Sequence, residues 1–163
     1  MATAVPASRL RVEHAEERDI LAIVALNNIF APDGLTLTRS EEFVTNHLQD
    51  YQVVRNGAGE VIGQVALDEY SPSLVELVSL AVAPHAQGRG LGKLLIEAAE
   101  KLARERGHTE LFAVSLAEPL FLAMGWQESS IVHYPEKIAR YQKISRSELS
   151  IGRKFCFRRQ LLA

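Results

Sequence analysis

Three glycines at alternate positions are the residues whose spacing points most directly to chemistry. Gly88, Gly90 and Gly92 lie between an apolar segment, residues 77–84, and an amphipathic segment, residues 93–100. The apolar segment is typical of a strand and the amphipathic one of a helix. A backbone without Cβ lets a ligand approach closely, and free N–H groups at a helix start favour an anion. The turn therefore predicts a binding site for paired phosphates.

Two common phosphate-binding motifs do not fit this turn. A P-loop needs a hydroxyl residue after its Gly-Lys pair, but Gly92 and Lys93 are followed by Leu94. The dinucleotide fingerprint fails because Lys93 or Leu95 would stand at its third glycine. A connection without a ligand is the alternative. Three glycines and the flanking Arg89 in so short a turn favour the phosphate site.

Length and composition predict one domain over residues 1–163, because the chain is 163 residues long and 47% hydrophobic. A net charge of −2 favours neither a nucleic acid nor a membrane as a partner. The first residues lack the basic and apolar regions of a signal peptide. Cys156 is the single cysteine, so no internal disulfide forms, and its alternating surroundings predict a buried thiol. These features are typical of a cytoplasmic protein.

Hydrophobic periodicity predicts antiparallel strands in the first half and one strand–helix–strand crossover at the centre. The expected fold class is α/β (α+β), a three-layer domain with a central twisted mixed sheet flanked by helices. Strands are predicted over residues 10–14, 51–55, 61–67, 75–84, 110–115 and 154–158. Helices are predicted over residues 16–30, from Ser40, from residue 93 and around residues 119–124.

The pattern Gln/Arg-x-x-Gly-x-Gly/Ala, supplied by Gln87, Gly90 and Gly92, resembles the GNAT superfamily of N-acetyltransferases. The resemblance covers about residues 10–161 and implies acetyl-CoA as co-substrate, with no metal. It implies a bulged strand whose N–H groups bind the thioester carbonyl, and a strand from Glu110 that splays away. The implied coenzyme-binding residues are Leu80, Ala81, Val82, Gln87, Gly88, Arg89, Gly90, Leu91, Gly92 and Lys93.

The resemblance also suggests which residues move protons. Glu76 matches a position that often serves the family as a base, although a solvent-facing carboxylate at a strand end is the alternative. Many relatives place a tyrosine acid where this chain has Phe121, and phenylalanine has no proton to donate. Ser115, Tyr134, Tyr141 or water must then protonate the leaving thiolate. The predicted catalytic residues are Glu76 and Ser115.

A basic carboxyl-terminal segment indicates the acceptor. Residues 137–159 hold eight of the eighteen lysines and arginines and a single acidic residue. Within it, residues 135–147 resemble the acetyltransferase domain of bacterial N-acetylglutamate synthases. Because arginine binds carboxylates bidentately, Arg140 and Arg146 are predicted to hold the acceptor's carboxylates, supported by Tyr141 and Ser147. A solvated basic face, or contacts to the coenzyme phosphates, is the alternative.

The leading functional prediction is acetyl transfer from acetyl-CoA to the α-amine of L-glutamate, by direct attack in a ternary complex, as in arginine biosynthesis. The expected partner is thus a small-molecule amine acceptor, and an acidic amino acid is the leading candidate. Formation of a homodimer is left open. A second hypothesis is another amine, such as a protein amino terminus, a polyamine or an antibiotic, with Asp68 and Glu69 as an acidic wall. A third is a non-catalytic acetyl-CoA-binding regulator, because Phe121 replaces the acid.

Overall fold

The computed structural model describes residues 10–30, 32, 38–141 and 155–161, with the backbone alone at residues 141 and 155. Seven strands form one sheet in the order β1-β2-β3-β4-β5-β7-β6. The strands are β1 (Val12–His14), β2 (Tyr51–Arg55), β3 (Val61–Glu69), β4 (Leu74–Val82), β5 (Glu110–Ser115), β6 (Gln127–Ser129) and β7 (Phe155–Gln160). The helices are α1 (Ile20–Ile29), α2 (Glu41–Asn46), α3 (Leu91–Glu105), α4 (Glu118–Ala123) and α5 (Pro135–Tyr141).

The sheet is mixed, with a single parallel pair at its centre. β4 and β5 run parallel and are joined by α3, whereas the other neighbouring strands are antiparallel. A parallel pair needs a crossover connection, which the long amphipathic helix provides. The predicted fold class and central crossover are confirmed.

Helices on both faces make the three layers. β3 is buried at every position from Ile62 to Leu67 because alternate residues face opposite layers. Gly63 faces α3, where Leu95 approaches it, and Ala66 clusters with Ile23 of α1 on the other face. Over these positions the strand therefore has no solvent-facing side, and its residues are apolar except for the buried Gln64.

Two parts of the chain differ from the sequence prediction. α1 begins at Ile20, because a turn of 3-10 helix over Glu17–Asp19 comes first. Within that turn Asp19 is buried, accepts a hydrogen bond from the Glu16 N–H and pairs with Arg55 of β2. The short elements β6 and α5 were not predicted, because each is too brief to show a clear period.

Cys156 is buried in β7, as its surroundings predicted. It shares a small cluster with Phe112 and Tyr134. Burial raises the pKa of its thiol to about 11, and the nearby Glu76 carboxylate acts in the same direction. The thiol therefore stays protonated at neutral pH, and we assign it a structural role.

Candidate active site

A cleft opens where the two central strands part. β4 pairs with β5 only from Leu74 to Glu76, and beyond Glu76 the strands have no paired residues. The splay that the sequence resemblance implied is confirmed. The cleft has a volume of about 440 Å³, and its lining residues are Phe30, Leu80, Ala81, Val82, Gln87, Gly88, Gly90, Leu91, Gly92, Lys93, Ser115, Leu116, Ala117 and Leu120.

The glycine turn closes one end of this cleft. Gly88 and Gly90 have φ values of 82° and 79°, a left-handed conformation that glycine adopts without strain. A Cβ on either residue would meet no atom within 4 Å, so the space beside both is open. Gly90 directly precedes α3 and cannot cap it with a side chain, so the first N–H groups of the helix have no side-chain partner at the N-cap, and the residues that carry them line the cleft.

The geometry of the turn suits a pair of phosphates, because open space, free N–H groups and the positive end of a 15-residue helix coincide there. Gln87 connects the turn to β4 through a 3.1 Å hydrogen bond from its Nε2 to the Val82 carbonyl oxygen. All the predicted coenzyme residues line the cleft except Arg89, which is exposed beside it. Their role in binding stays a prediction.

A β-bulge in β4 faces the cleft. Gln64 of β3 pairs with Ala81, whereas Ala66 pairs with Val78, so Ser79 and Leu80 have no partner on β3. Ser79 has a φ of 55°, which is uncommon for a residue other than glycine. Its Oγ lies 3.3 Å from the Tyr51 hydroxyl. The implied bulge is thus present, and it begins at Ser79.

Glu76 is placed at the apex of the splay, where it is the last residue of β4 that pairs with β5. It is 2% exposed, so the alternative of a solvent-facing carboxylate is wrong. The Lys137 ammonium donates to Oε2 at 2.6 Å, and the Tyr70 hydroxyl donates to Oε1 at 2.7 Å. Both oxygens are therefore engaged, and the role of Glu76 as a base stays a prediction.

Ser115 lies on the opposite wall of the cleft, at the end of β5. Its Oγ accepts a 3.0 Å hydrogen bond from the Ala117 N–H, which leaves its own hydroxyl proton available to a ligand. Phe121 is fully buried and stacks on Phe157, so it is part of the core. Tyr134 stacks on Phe112 away from the cleft lining, and burial raises its pKa. Of Ser115 and Tyr134, Ser115 is therefore the better placed to donate a proton within the cleft.

The predicted acceptor residues are only partly described. Arg140 lies on α5, where its Nη1 donates to Asp68 Oδ1 at 2.6 Å. Its guanidinium is therefore already paired with a carboxylate. The side chain of Tyr141, together with Arg146 and Ser147, lies outside the described residues.

Arg39 is a candidate that the sequence analysis missed. Its guanidinium lies 4.3 Å from the ring centre of Phe43, and its buried Nε has no hydrogen-bond partner. The backbone of Arg39 is fixed by two 3.0 Å hydrogen bonds to the side chain of Asn28. Burial raises the pKa of the Tyr51 hydroxyl, and the positive charge of Arg39 opposes that rise. No local pattern signals this, since the arginine lies in a connection before α2.

Over the described ranges, no helix combines the length and apolar character needed to cross a bilayer. Among the same residues, no group of three or more histidine, cysteine or acidic side chains is arranged to hold a metal ion.

Comparison with known proteins agrees with this geometry. The sequence model of the Acetyltransferase (GNAT) family matches residues 13–126. An uncharacterized N-acetyltransferase of Chlorobaculum tepidum is 35% identical over 136 residues, which are 83% of this chain and 87% of that protein. An amino-acid acetyltransferase of Neisseria meningitidis is 32% identical over 127 residues, which are 77% of this chain and 29% of that protein.

A solved structure is similar over most of the chain. N-acetylglutamate synthase from Neisseria gonorrhoeae, complexed with coenzyme A and N-acetyl-glutamate, superposes with a TM-score of 0.82 and 28% identity. The match covers 94% of this chain but 35% of the synthase, so the chain spans about a third of that relative. The chain belongs to the GNAT acetyltransferase family and is an acetyl-CoA-dependent N-acetyltransferase.

Proposed function

We propose that this chain transfers the acetyl group of acetyl-CoA to the α-amine of an amino acid, with L-glutamate as the first acceptor to test. The observation that carries the proposal is Arg39, which pairs with no carboxylate among the described residues, whose buried Nε has no hydrogen-bond partner there, and whose charge acts on the Tyr51 hydroxyl beside the bulge of the cleft. Two relatives support it, one an amino-acid acetyltransferase and one a synthase bound to N-acetyl-glutamate. Acetylation of glutamate would be a step of arginine biosynthesis.

The coenzyme occupies the cleft in this proposal. The turn at Gly88 and Gly90, with the first N–H groups of α3, holds its paired phosphates. Acetyl-CoA supplies the activated acetyl thioester. The thioester oxygen lies against the bulged part of β4, residues 80–82, where a backbone N–H fixed towards the cleft contributes about 3 kcal/mol as that oxygen gains charge.

Arg39 binds the α-carboxylate of the acceptor. Tyr51 relates the position of Arg39 to the cleft. The Tyr51 hydroxyl contacts Ser79 in the bulge, and the charge of Arg39 acts to lower the pKa of that hydroxyl. An α-carboxylate held by Arg39 keeps the neighbouring α-amine close to the bulge. Arg146, Tyr141 and Ser147 stay predicted acceptor-binding residues, and Arg140, which is paired with Asp68, is the one of that set whose side chain the structure describes.

Two groups handle protons. Glu76 accepts the proton of the acceptor's ammonium group, directly or through water, from its place at the apex of the splay. Its contacts with Lys137 and Tyr70 hold the carboxylate in one orientation. Ser115 lies across the cleft and donates to the leaving thiolate.

An acceptor panel tests the proposal. The chain is incubated with acetyl-CoA and, in separate reactions, with L-glutamate, L-aspartate, L-glutamine and a polyamine, and acetylated products are identified by mass spectrometry. We expect the amino acids to be acetylated and the polyamine to remain unmodified. Acetylation of cationic amines alone would show that the amino-acid acceptor is wrong.

Arg39→Gln is expected to raise the KM for L-glutamine by about tenfold to a hundredfold, because an ion pair with the α-carboxylate is lost. The substrate 4-aminobutanamide, which is glutamine without its α-carboxylate, should be used equally by both proteins. Steady-state kinetics at saturating acetyl-CoA measures both effects. Arg18→Gln removes an exposed arginine from the start of the chain and serves as the control. An unchanged KM for glutamine in Arg39→Gln would place the α-carboxylate elsewhere.

A further inference from the structure

Arg140 is held over the end of β3 by three contacts. Its Nη1 donates to Asp68 at 2.6 Å and its Nη2 donates to the carbonyl oxygen of Glu69 at 3.2 Å. The guanidinium carbon lies 3.9 Å from the ring centre of Tyr70. The side chains of Arg140 and Asp68 are 42% and 25% exposed, so a dissolved ligand can reach the pair.

The pair lies next to the proposed acceptor position. Asp68 is the β3 residue opposite Glu76, which marks the apex of the splay. Asp68 follows Ala66 by two residues and therefore shares its face of the sheet, the face on which Tyr51 lies. The charges of Asp68 and Arg39 both act on the Tyr51 hydroxyl, in opposite directions.

Three cations among the described residues lie at this end of the sheet, and two of them pair with a carboxylate. Lys137 pairs with Glu76 and Arg140 pairs with Asp68. Among the residues that the structure describes, Arg39 alone of the three cations has no carboxylate partner. One carboxylate of an acceptor can therefore pair with Arg39. A second carboxylate would instead meet Arg140, which Asp68 already neutralises, and the Asp68 carboxylate itself. Like charges brought together in this way oppose binding.

We propose that Asp68 is a specificity-determining residue that weakens the binding of acceptors with a second carboxylate by occupying Arg140. The inference rests on the proposed amino-acid acceptor. An acidic side chain must compete with Asp68 for the guanidinium, whereas the amide side chain of glutamine meets no such repulsion. Asp68 therefore sets the ratio of the KM values for acidic and neutral amino acids.

Asp68→Asn tests this role, because it removes the negative charge with almost no change of shape. The KM values for L-glutamate and L-glutamine are measured side by side at saturating acetyl-CoA. We expect the glutamate KM to fall by about tenfold, since Arg140 becomes free to bind the second carboxylate. The glutamine KM should stay within about twofold, because its side chain carries no charge.

A second variant should change the ratio of the glutamate KM to the glutamine KM in the opposite direction. Arg140→Met leaves Asp68 uncompensated, so the glutamate KM should rise more than the glutamine KM. Glu13→Gln is the matched control, since Glu13 pairs with Arg55 at 2.6 Å near the far edge of the sheet. It should leave both KM values unchanged. Thermal melting confirms that each variant is folded.

The outcomes separate the two proposals. If the wild-type chain acetylates no amino acid, the proposed function is wrong, and the role of Asp68 falls with it. If it acetylates amino acids and Asp68→Asn leaves the glutamate-to-glutamine ratio of KM unchanged, only the role of Asp68 is wrong. An equal change for both acceptors would likewise overturn that role, because it would show a general distortion of the pocket.

Discussion

Lys137→Met is expected to lower the free energy of unfolding by about 3–5 kcal/mol, because it leaves the Glu76 carboxylate buried without its cation. Both partners are less than a tenth exposed, so water cannot take the place of the lost ammonium. Urea denaturation at neutral pH measures the loss.

Two further variants identify the source of this loss. Lys137→Met combined with Glu76→Gln should recover most of the stability, because no unpaired buried charge remains. Arg140→Met removes the exposed partner of Asp68 and should cost about 1 kcal/mol or less. A loss in Lys137→Met that the double variant does not recover would show that Lys137 acts through another contact.

Gly90→Val is expected to raise the dissociation constant for coenzyme A by about tenfold to a hundredfold, since a branched side chain at positive φ costs about 1–3 kcal/mol. The turn must change its conformation to relieve that strain, and the first N–H groups of α3 then lose their alignment with the cleft. Isothermal titration calorimetry with coenzyme A measures the change directly.

Gly107→Val is the matched control for that prediction. Gly107 follows the other end of α3, has a φ of 87° and likewise has no atom within 4 Å of an added Cβ. The two variants should lose similar stability, but Gly107→Val should bind coenzyme A as the wild type does. Equal affinities in both variants would mean that the glycine turn does not hold the phosphates.

The sequence was sufficient for the parts of the molecule that depend on local patterns. The apolar run before the glycines predicted β4, and the amphipathic run after them predicted α3. The glycines of the turn were predicted to leave room for a ligand, and the space beside Gly88 and Gly90 is open. These features are local because strand period, helix period and glycine conformation each involve only a few neighbouring residues.

The parts that the sequence could not predict depend on residues far apart in the chain. Glu76 and Lys137 are separated by 61 positions, and Asp68 and Arg140 by 72. Only the packing of α5 against the central strands brings them together. Arg39 gave no signal either, because an arginine in a connecting segment is ordinarily solvated. The bulge at Ser79 was implied by family resemblance, since no glycine marks it.

The burial of Cys156 also makes enzyme turnover easy to follow. Each acetyl transfer releases one molecule of coenzyme A with a free sulfhydryl group, which a colorimetric disulfide reagent detects continuously. Because the chain has one cysteine and its thiol is buried with a pKa of about 11, the folded enzyme should contribute almost no background. All the kinetic comparisons described above can therefore use the unmodified chain, and a sudden rise in background would report unfolding of a variant.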